Sequence, residues 1–323
     1  MLRIAINGFG RIGRMVLRAL YENNYKGLKV VAINNRASTE ISAFLLERDT
    51  VHGKFNHSIK YTKDEIIIGK DRIQCYHEND PINCPWDDEN IDIVLECTGK
   101  FNSRDESYKH IEAGAKKVIV SAPCKDADQT VVYGVNHKNI SKTDHIISVA
   151  SCTTNCLAPL TFAIHKNFKI EKGYMTTVHS YTSDQRLLDN SHKDLRRARS
   201  APNAIVPTST GAAKSLKMII PELASKIDGV SIRVPTPNVS LVQLSFNSQK
   251  KLTKEKINSS LLKASKTYLK NVLGVEQKPL VSSDFNHDPR SSIVDTGLTK
   301  VIGNNFATVF AWYDNEWGFS NRM

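Results

Sequence analysis

Two groups of residues have the types and spacing to do chemistry. The first is Ser151-Cys152-Thr153-Thr154-Asn155-Cys156, set before the apolar stretch Leu157 to Ile164. Serine and threonine are N-cap types, so Cys152 falls at or near a helix N-terminus, where the helix dipole favours a thiolate and lowers the thiol pKa. Cys156 lies one turn further in and reads as buried and inert. A nucleophilic cysteine needs a base. His179 closes the strand-like run Gly173–His179 and opens the polar segment Ser180 to Asp184, a good station for a proton-shuttling imidazole. Ten histidines compete for that role, so residue types alone leave the pairing open.

The second group is Gly8-Phe9-Gly10-Arg11-Ile12-Gly13, a G-x-G-x-x-G directly after an apolar run and opening a helical one. The first glycine permits the tight turn, the second lets backbone approach a pyrophosphate, and the third lets helix pack on strand. The helix N-terminus then offers free N–H groups to phosphates, so Gly8 to Gly13 reads as a dinucleotide site. The acidic partner of a ribose 2′-hydroxyl, expected about 20 residues on, is replaced by Asn34-Asn35-Arg36. Asn35 can bond a hydroxyl without repelling a 2′-phosphate, and Arg36 can pair with that phosphate. NADP use or dual specificity is one reading; NAD use with Arg36 in solvent is the other.

The elements that hold these groups follow from periodicity. Leu2–Asn7, Leu28–Ile33, Ile91–Cys97, Lys117–Val120, Thr130–Val135 and His145–Val149 read as strands, with helices at Arg11–Asn23 and Thr39–Leu46. That alternation is the mark of βαβ units around a parallel sheet. After SCTTNC the strands lengthen, at Tyr174–His179, Val230–Val234, Ser240–Phe246 and Ala307–Tyr313. Helical periodicity returns at Thr153–Phe168, Gly211–Ile227 and Lys254–Leu269, so the second half reads as α+β with an antiparallel sheet. The boundary falls near residue 150, and 323 residues suit two domains of about 150 each.

Charge divides along the same line. Residues 1–150 hold 21 Lys and Arg against 20 Asp and Glu, whereas residues 151–323 hold 23 against 13. A basic half fits nucleic acid, a membrane surface or a small anion. Only Lys193 to Arg199 and Lys250 to Lys256 cluster, without the aromatic interleaving of a nucleic-acid face. A generally basic surface and phosphate-bearing ligands in the second half stay open as causes. The six cysteines form no disulfide or zinc spacing, and no run of about 18 apolar residues predicts a membrane span. The opening MLRIAINGFG lacks the layout of a secretory signal, and a reduced, cytoplasmic enzyme is expected.

The blocks INGFGRIGR, ASCTTNCLAP, HSYTSDQ, HKDLRRAR, PTSTGAAK, RVPTPNVS and WYDNEWGFSNRM run in this order along the whole chain. Together they resemble the glyceraldehyde-3-phosphate dehydrogenase family. The resemblance implies an α/β protein: a Rossmann doubly wound parallel sheet over residues 1–150, rejoined by about 315–323, and a catalytic domain over 151–314. It implies NAD or NADP as cofactor, a homotetramer, and phosphorylating oxidation of a phosphorylated aldehyde, with no metal and no dedicated nucleic-acid or membrane partner. Carried over residue by residue, Cys152 is the nucleophile and His179 its base. Thr182, Asp184, Arg197 and Arg233 surround the substrate phosphate; Ser151, Thr153, Thr210 and Gly211 surround the attacking phosphate. Thr98, Gly99, Ser121 and Asn315 join the cofactor contacts, with Asn315 holding the nicotinamide amide.

Departures from the family pattern bear on the cofactor. The NAD-type acidic residue corresponds to Asn35, the Arg before Asp-Pro to Asn79, and the Leu-Pro pair of the S-shaped loop to Asn190-Ser191. All three remove features of NAD-only members, which predicts dual or NADP-leaning use. Phe319 stands where a Tyr is usual near the nicotinamide, and the family's last helix would begin just past Met323. Two other readings remain for test: erythrose-4-phosphate dehydrogenase, whose nucleophile is water, and a basic nucleic-acid-binding module.

Overall fold

Alternate residues of the first strand feed opposite faces of a sheet. Ile4 and Ile6 pack with Val16, Leu17 and Leu46, whereas Ala5 packs with Val94 and Val118 around Trp86. A sheet buried on both faces is the hallmark of βαβ architecture. The computed structural model describes residues 1–323, in two compact units.

The first unit is Met1–Val131 with Lys138–Ala150 and Met323. It runs β1 (Leu2–Asn7), α1 (Arg11–Glu22), β2 (Leu28–Asn34) and α2 (Thr39–Glu47), then a two-strand ribbon of β3 (Arg48–Asp49) and β4 (Gly53–Lys54). There follow β5 (Ile59–Tyr61), β6 (Glu65–Ile68), β7 (Asp71–Tyr76), β8 (Ile93–Glu96), α3 (Arg104–Glu112), β9 (Lys117–Val120), β10 (Gln129–Thr130) and β11 (Ile146–Ser148). Strand order is β10-β11-β9-β8-β1-β2-β7-β6-β5, parallel from β10 to β7 and antiparallel over the last two pairs. The order reverses between β1 and its neighbours β2 and β8, so a crevice opens at their C-terminal ends, where dinucleotides bind in such sheets.

The second unit is Val132–His137 with Ser151–Arg322. Its elements are α4 (Cys152–Phe168), β12 (Ile170–Ser180), β13 (Val206–Thr208), α5 (Ala212–Ile219), β14 (Ile227–Val234) and β15 (Ser240–Ser248), followed by α6 (Lys254–Lys266), β16 (Leu273–Glu276), β17 (Ser292–Ile302), β18 (Phe306–Tyr313) and α7 (Trp317–Ser320). The sheet order is β13-β14-β12-β15-β18-β17-β16, antiparallel except for β12 with β14 and β16 with β17. Along β15, Val242, Leu244 and Phe246 are buried, and α4 packs on this sheet with nearly its whole length buried. No helix is long and apolar enough to cross a membrane.

Several expected boundaries move, each for a local reason. The strand expected over Thr130–Val135 stops at Thr130, because the Asn136 side chain takes the Val132 N–H at 2.8 Å and turns the chain. The helix expected from Gly211 to Ile227 ends at Ile219, since Pro221 has no N–H to continue it and starts a short 3-10 turn instead. The helix from Lys254 ends at Lys266 rather than Leu269. The return of residues 315–323 to the first unit is confined to Met323; Trp317 of α7 stacks on His287 at 3.7 Å, and Arg322 bonds the Pro289 carbonyl.

Candidate active site

Ser151 is the N-cap of α4: its hydroxyl accepts from the Thr154 amide at 3.1 Å, which leaves Cys152 as the first helical residue. His179 arrives from the end of β12 and sets Nε2 3.5 Å from the Cys152 sulfur. Its Nδ1 faces the Ser180 carbonyl at 2.6 Å. A carbonyl only accepts, so Nδ1 carries the ring proton and Nε2 is left bare toward the thiol, the tautomer a general base needs. Tyr313 braces the pair, its phenol lying 2.9 Å from Thr153 Oγ1 on α4 and 2.8 Å from Thr177 Oγ1 on β12.

Two opposing effects act on the pair. Burial raises the Cys152 thiol above its ordinary value, whereas the Arg233 charge and the Thr153 amide pull it down. Burial, aided by Arg233, holds His179 down to about 3. Desolvation thus opposes the helix terminus and favours the uncharged form of both groups. Such a pair moves its proton during attack.

Arg233 is the strand neighbour of His179, in register across the parallel β12–β14 pair. Its Nη1 donates to the Ser180 carbonyl at 3.1 Å and to Thr182 Oγ1 at 3.2 Å, while its Nε is buried without a partner. A half-buried guanidinium with a spare donor and no carboxylate in contact is suited to an oxyanion. Arg197 bonds Thr208 Oγ1 through Nε at 3.0 Å and Asp184 through Nη1 at 2.6 Å. Asp184 therefore orients a guanidinium here, as an acceptor-only group would. The hydroxyls of Ser151 and Thr153 are both committed within the protein, to Thr154 and Tyr313. Thr210 Oγ1 accepts from the Ala212 amide, and Gly211 caps α5 with no side-chain bond. Asn315 is buried and accepts from Ser240 Oγ at 2.9 Å, which leaves its amide N–H groups as its remaining donors. The basic run near Arg197 carries its own counter-charges, since Asp184 and Asp194 pair with Arg197, and Asp189 with Arg199.

In the first unit the glycine motif makes a cradle. Gly8 has φ +91°, and a Cβ there would meet the Thr98 backbone at 2.7 Å. A Cβ on Gly13 would lie 2.2 Å from the Gly8 carbonyl. No side chain caps α1 and its first turn holds no acid, so its N-terminus is left for an anion. Arg11 turns its side chain aside to Asp49, which this pair and the Val51 and His52 amides hold at about 2 although burial opposes the charge. Ile12 and Gly13 continue the helix behind the loop. A cleft of about 230 Å³ follows, lined by Gly8, Gly10, Asn35, Arg36, Asn79, Thr98 and Lys100 among others. These residues fit a dinucleotide. Asn35 is engaged at both ends, accepting from the Phe9 amide at 3.4 Å and donating to Ser42 at 3.0 Å. Arg36 is exposed on the cleft and makes no ion pair. Gly99 has φ +68°, and Ser121 follows β9 with its amide on the Glu96 carbonyl.

Comparison with known proteins matches both units. Residues 2–104 match the family described as Glyceraldehyde 3-phosphate dehydrogenase, NAD binding domain, and residues 151–315 its C-terminal domain. The chain belongs to the glyceraldehyde-3-phosphate dehydrogenase family. It is 50% identical over 322 residues to the glyceraldehyde-3-phosphate dehydrogenase of Xanthobacter flavus, covering all of this chain and 96% of the relative. It is 51% identical over 324 residues to that of Zymomonas mobilis, with the same coverage. Identity is 47% over 323 residues to glyceraldehyde-3-phosphate dehydrogenase 2 of Bacillus subtilis, covering 94% of that protein. As a member of this family the chain is a nicotinamide-dependent oxidoreductase. Two contributors escaped the sequence reading. Tyr313 reaches Thr153 across 160 residues, a contact no spacing announces, and Glu96 meets Asn7 across 89.

Proposed function

We propose that the chain catalyses the reversible phosphorylating oxidation of D-glyceraldehyde 3-phosphate with NAD(P)+ to 1,3-bisphosphoglycerate, through a thioester on Cys152. The observation that carries this reading is the Cys152 sulfur 3.5 Å from a His179 nitrogen whose ring partner is tied to the Ser180 carbonyl. As the sulfur bonds the aldehyde carbon, Nε2 takes the thiol proton and passes it to the carbonyl oxygen to give a hemithioacetal, then takes that hydroxyl proton back as the hydride leaves. A bound nicotinamide ring supplies the acceptor for the hydride that carbon loses. Asn315, with its oxygen held by Ser240, would present N–H donors to the carboxamide. Once oxidised, the acyl group sits on Cys152 as a thioester, and its attack by inorganic phosphate expels the sulfur and releases an acyl phosphate. A thioester keeps the energy of oxidation that an oxygen ester would dissipate, and two covalent stages lower each barrier.

The spare Nε of Arg233, with Thr182 and the Asp184-oriented Arg197, supports a substrate-phosphate site. The α5 N-terminus at Thr210 and Gly211, with the start of α4 at Ser151 and Thr153, supports a place for the attacking phosphate. Gly8 to Gly13, Asn35, Arg36, Thr98, Gly99 and Ser121 would hold the dinucleotide. Neutral Asn35 and unpaired Arg36 favour use of both cofactors, with a lean to NADP. Leu187, Leu188, Leu195 and Ile205 are each exposed, apolar side chains that a homotetramer would cover. Six free cysteines suit the reducing cytoplasm.

The test is a coupled-free assay of cofactor reduction with D-glyceraldehyde 3-phosphate, with and without inorganic phosphate. Turnover that collapses when phosphate is omitted is expected. Equal rates without phosphate, or faster turnover of erythrose 4-phosphate, would reject the phosphorylating reading for the water-using one.

A further inference from the structure

Beneath the first-unit cleft lies a buried polar group that the reaction does not use. Glu96 ends β8 with its side chain inaccessible to solvent, and so does not touch any ligand. Its Oε1 accepts from both the amide and the hydroxyl of Thr98, the amide at 2.7 Å. Its Oε2 accepts from Asn7 Nδ2 at 2.5 Å and faces His110 Nε2 at 3.1 Å. The tautomer of His110 is set from behind: Trp86 Nε1 donates to Nδ1 at 2.9 Å, so Nδ1 is the bare nitrogen and Nε2 carries the proton toward Glu96. All four partners are donors, and a carboxylate is the one side chain that accepts from all of them.

Those partners are the walls of the cleft. Thr98 is the backbone that a Cβ on Gly8 would strike, and Asn7 immediately precedes Gly8. Asn7 Oδ1 in turn accepts from Asn34 at 2.8 Å, and Asn34 bonds both the amide and the carbonyl of Glu78 on the far side. One carboxylate thus ties together the ends of β1, β2 and β8 and the chain after β7, the strands flanking the switch point. We propose that Glu96, with its proton donor His110 locked by Trp86, is the positioning residue of the nucleotide cleft, holding Thr98 and Asn7 at the separation the dinucleotide needs. This rests on the cofactor assignment above.

The decisive variant is Glu96→Gln, which sets an NH2 group against two donors. Full-length variants are titrated with NAD+ and NADP+ calorimetrically, with amide exchange at Thr98 and alkylation of Cys152 measured beside them. Expected are affinities for both cofactors at least tenfold weaker, faster exchange at Thr98, and Cys152 alkylation within twofold of wild type. His110→Phe should behave likewise, whereas His110→Gln, which keeps a donor for Oε2, should return affinity to within threefold. Unchanged affinity in Glu96→Gln overturns the proposal. If that variant fails to fold, the His110 pair decides, and Phe and Gln variants of equal affinity overturn it. A wild type that binds cofactor tightly yet lacks phosphate-dependent turnover would sink the functional reading and leave this one standing.

Discussion

In the first unit the ligand cleft is a property of backbone: two glycines that admit no Cβ, an uncapped helix terminus, and strand ends tied from below by Glu96. In the second unit the site is a property of side chains gathered from distant segments, with Cys152 from α4, His179 from β12, Arg233 from β14 and Tyr313 from β18. The difference predicts which kind of damage each tolerates. A backbone cradle is weakened when one methyl group is added, because no side chain can move to make room. A side-chain site fails by losing one role at a time, while its scaffold stands. The two sites should therefore be separable by experiment, binding lost in one set of variants and chemistry in the other.

The largest break is Cys152→Ser. A serine hydroxyl is a far weaker nucleophile, and turnover should fall by ~10⁴ or more, with cofactor affinity unchanged by calorimetry. Cofactor affinity lost in that variant would mean that the two sites do not divide as described. His179→Asn comes next, removing the base but leaving the sulfur. A drop of ~10²–10⁴ in kcat is expected from the loss of a positioned general base. The same variant reports on pH. Unfolded His179 takes a proton near the usual 6.5, whereas the folded ring, buried beside Arg233, resists until about 3. The unfolded state thus binds the extra proton, and stability falls as pH drops from about 6.5, by at most ~1.4 kcal/mol per unit. His179→Asn should flatten that fall; melting curves of the two proteins at pH 6.5 and 4.5 that stay parallel would refute it.

Gly13→Ala sharpens the other half of the contrast. The added Cβ would sit 2.2 Å from the Gly8 carbonyl, so loop and helix must separate. Overpacking of this kind costs ~1–3 kcal/mol, or roughly fivefold to 150-fold in cofactor affinity if the distortion is confined to the loop. Alkylation of Cys152 should proceed at the wild-type rate. A Gly13→Ala protein that binds NAD+ normally would show the cradle to be more pliable than its geometry implies.

The contrast also explains what could be read from the sequence. The glycine motif is local, five residues of spacing that map onto one turn, and its strand, loop and helix fall where periodicity put them. The start of α4 was equally legible, since Ser151 announces its own cap. The helix α3 lacks a clear apolar period, and its signal is the capping box of Ser103 and Glu106. The strands β6 and β7 alternate over only four and six residues, burying Ile66, Ile68, Ile73 and Cys75, too short a signal to stand out without their pairing partners. The thiol's electrostatics are legible only in part for a related reason: the helix terminus is a local feature, but the burial that opposes it is made by the packed fold. Tyr313 and Glu96 act across long separations, and only the fold brings them to their partners.

The smallest expected effect concerns the choice of cofactor, where backbone gives way to a single exposed side chain. Pyrophosphate recognition by amides cannot tell NAD from NADP, because the two differ only at the adenosine 2′ position. Asn35 is fixed by Phe9 and Ser42 and carries no charge, so it neither demands a free hydroxyl nor attracts a phosphate. On the proposed reading discrimination would fall to Arg36, which is exposed beside the cleft and makes no ion pair, although Glu78 lines the same cleft. An exposed cation is screened, and its contact with a 2′-phosphate is worth about 1 kcal/mol, roughly a fivefold preference. Arg36→Ala should lower kcat/KM for NADP+ about fivefold and leave that for NAD+ within twofold. An equal loss with both cofactors would assign Arg36 to the shared part of the dinucleotide, and no loss with either would return it to solvent.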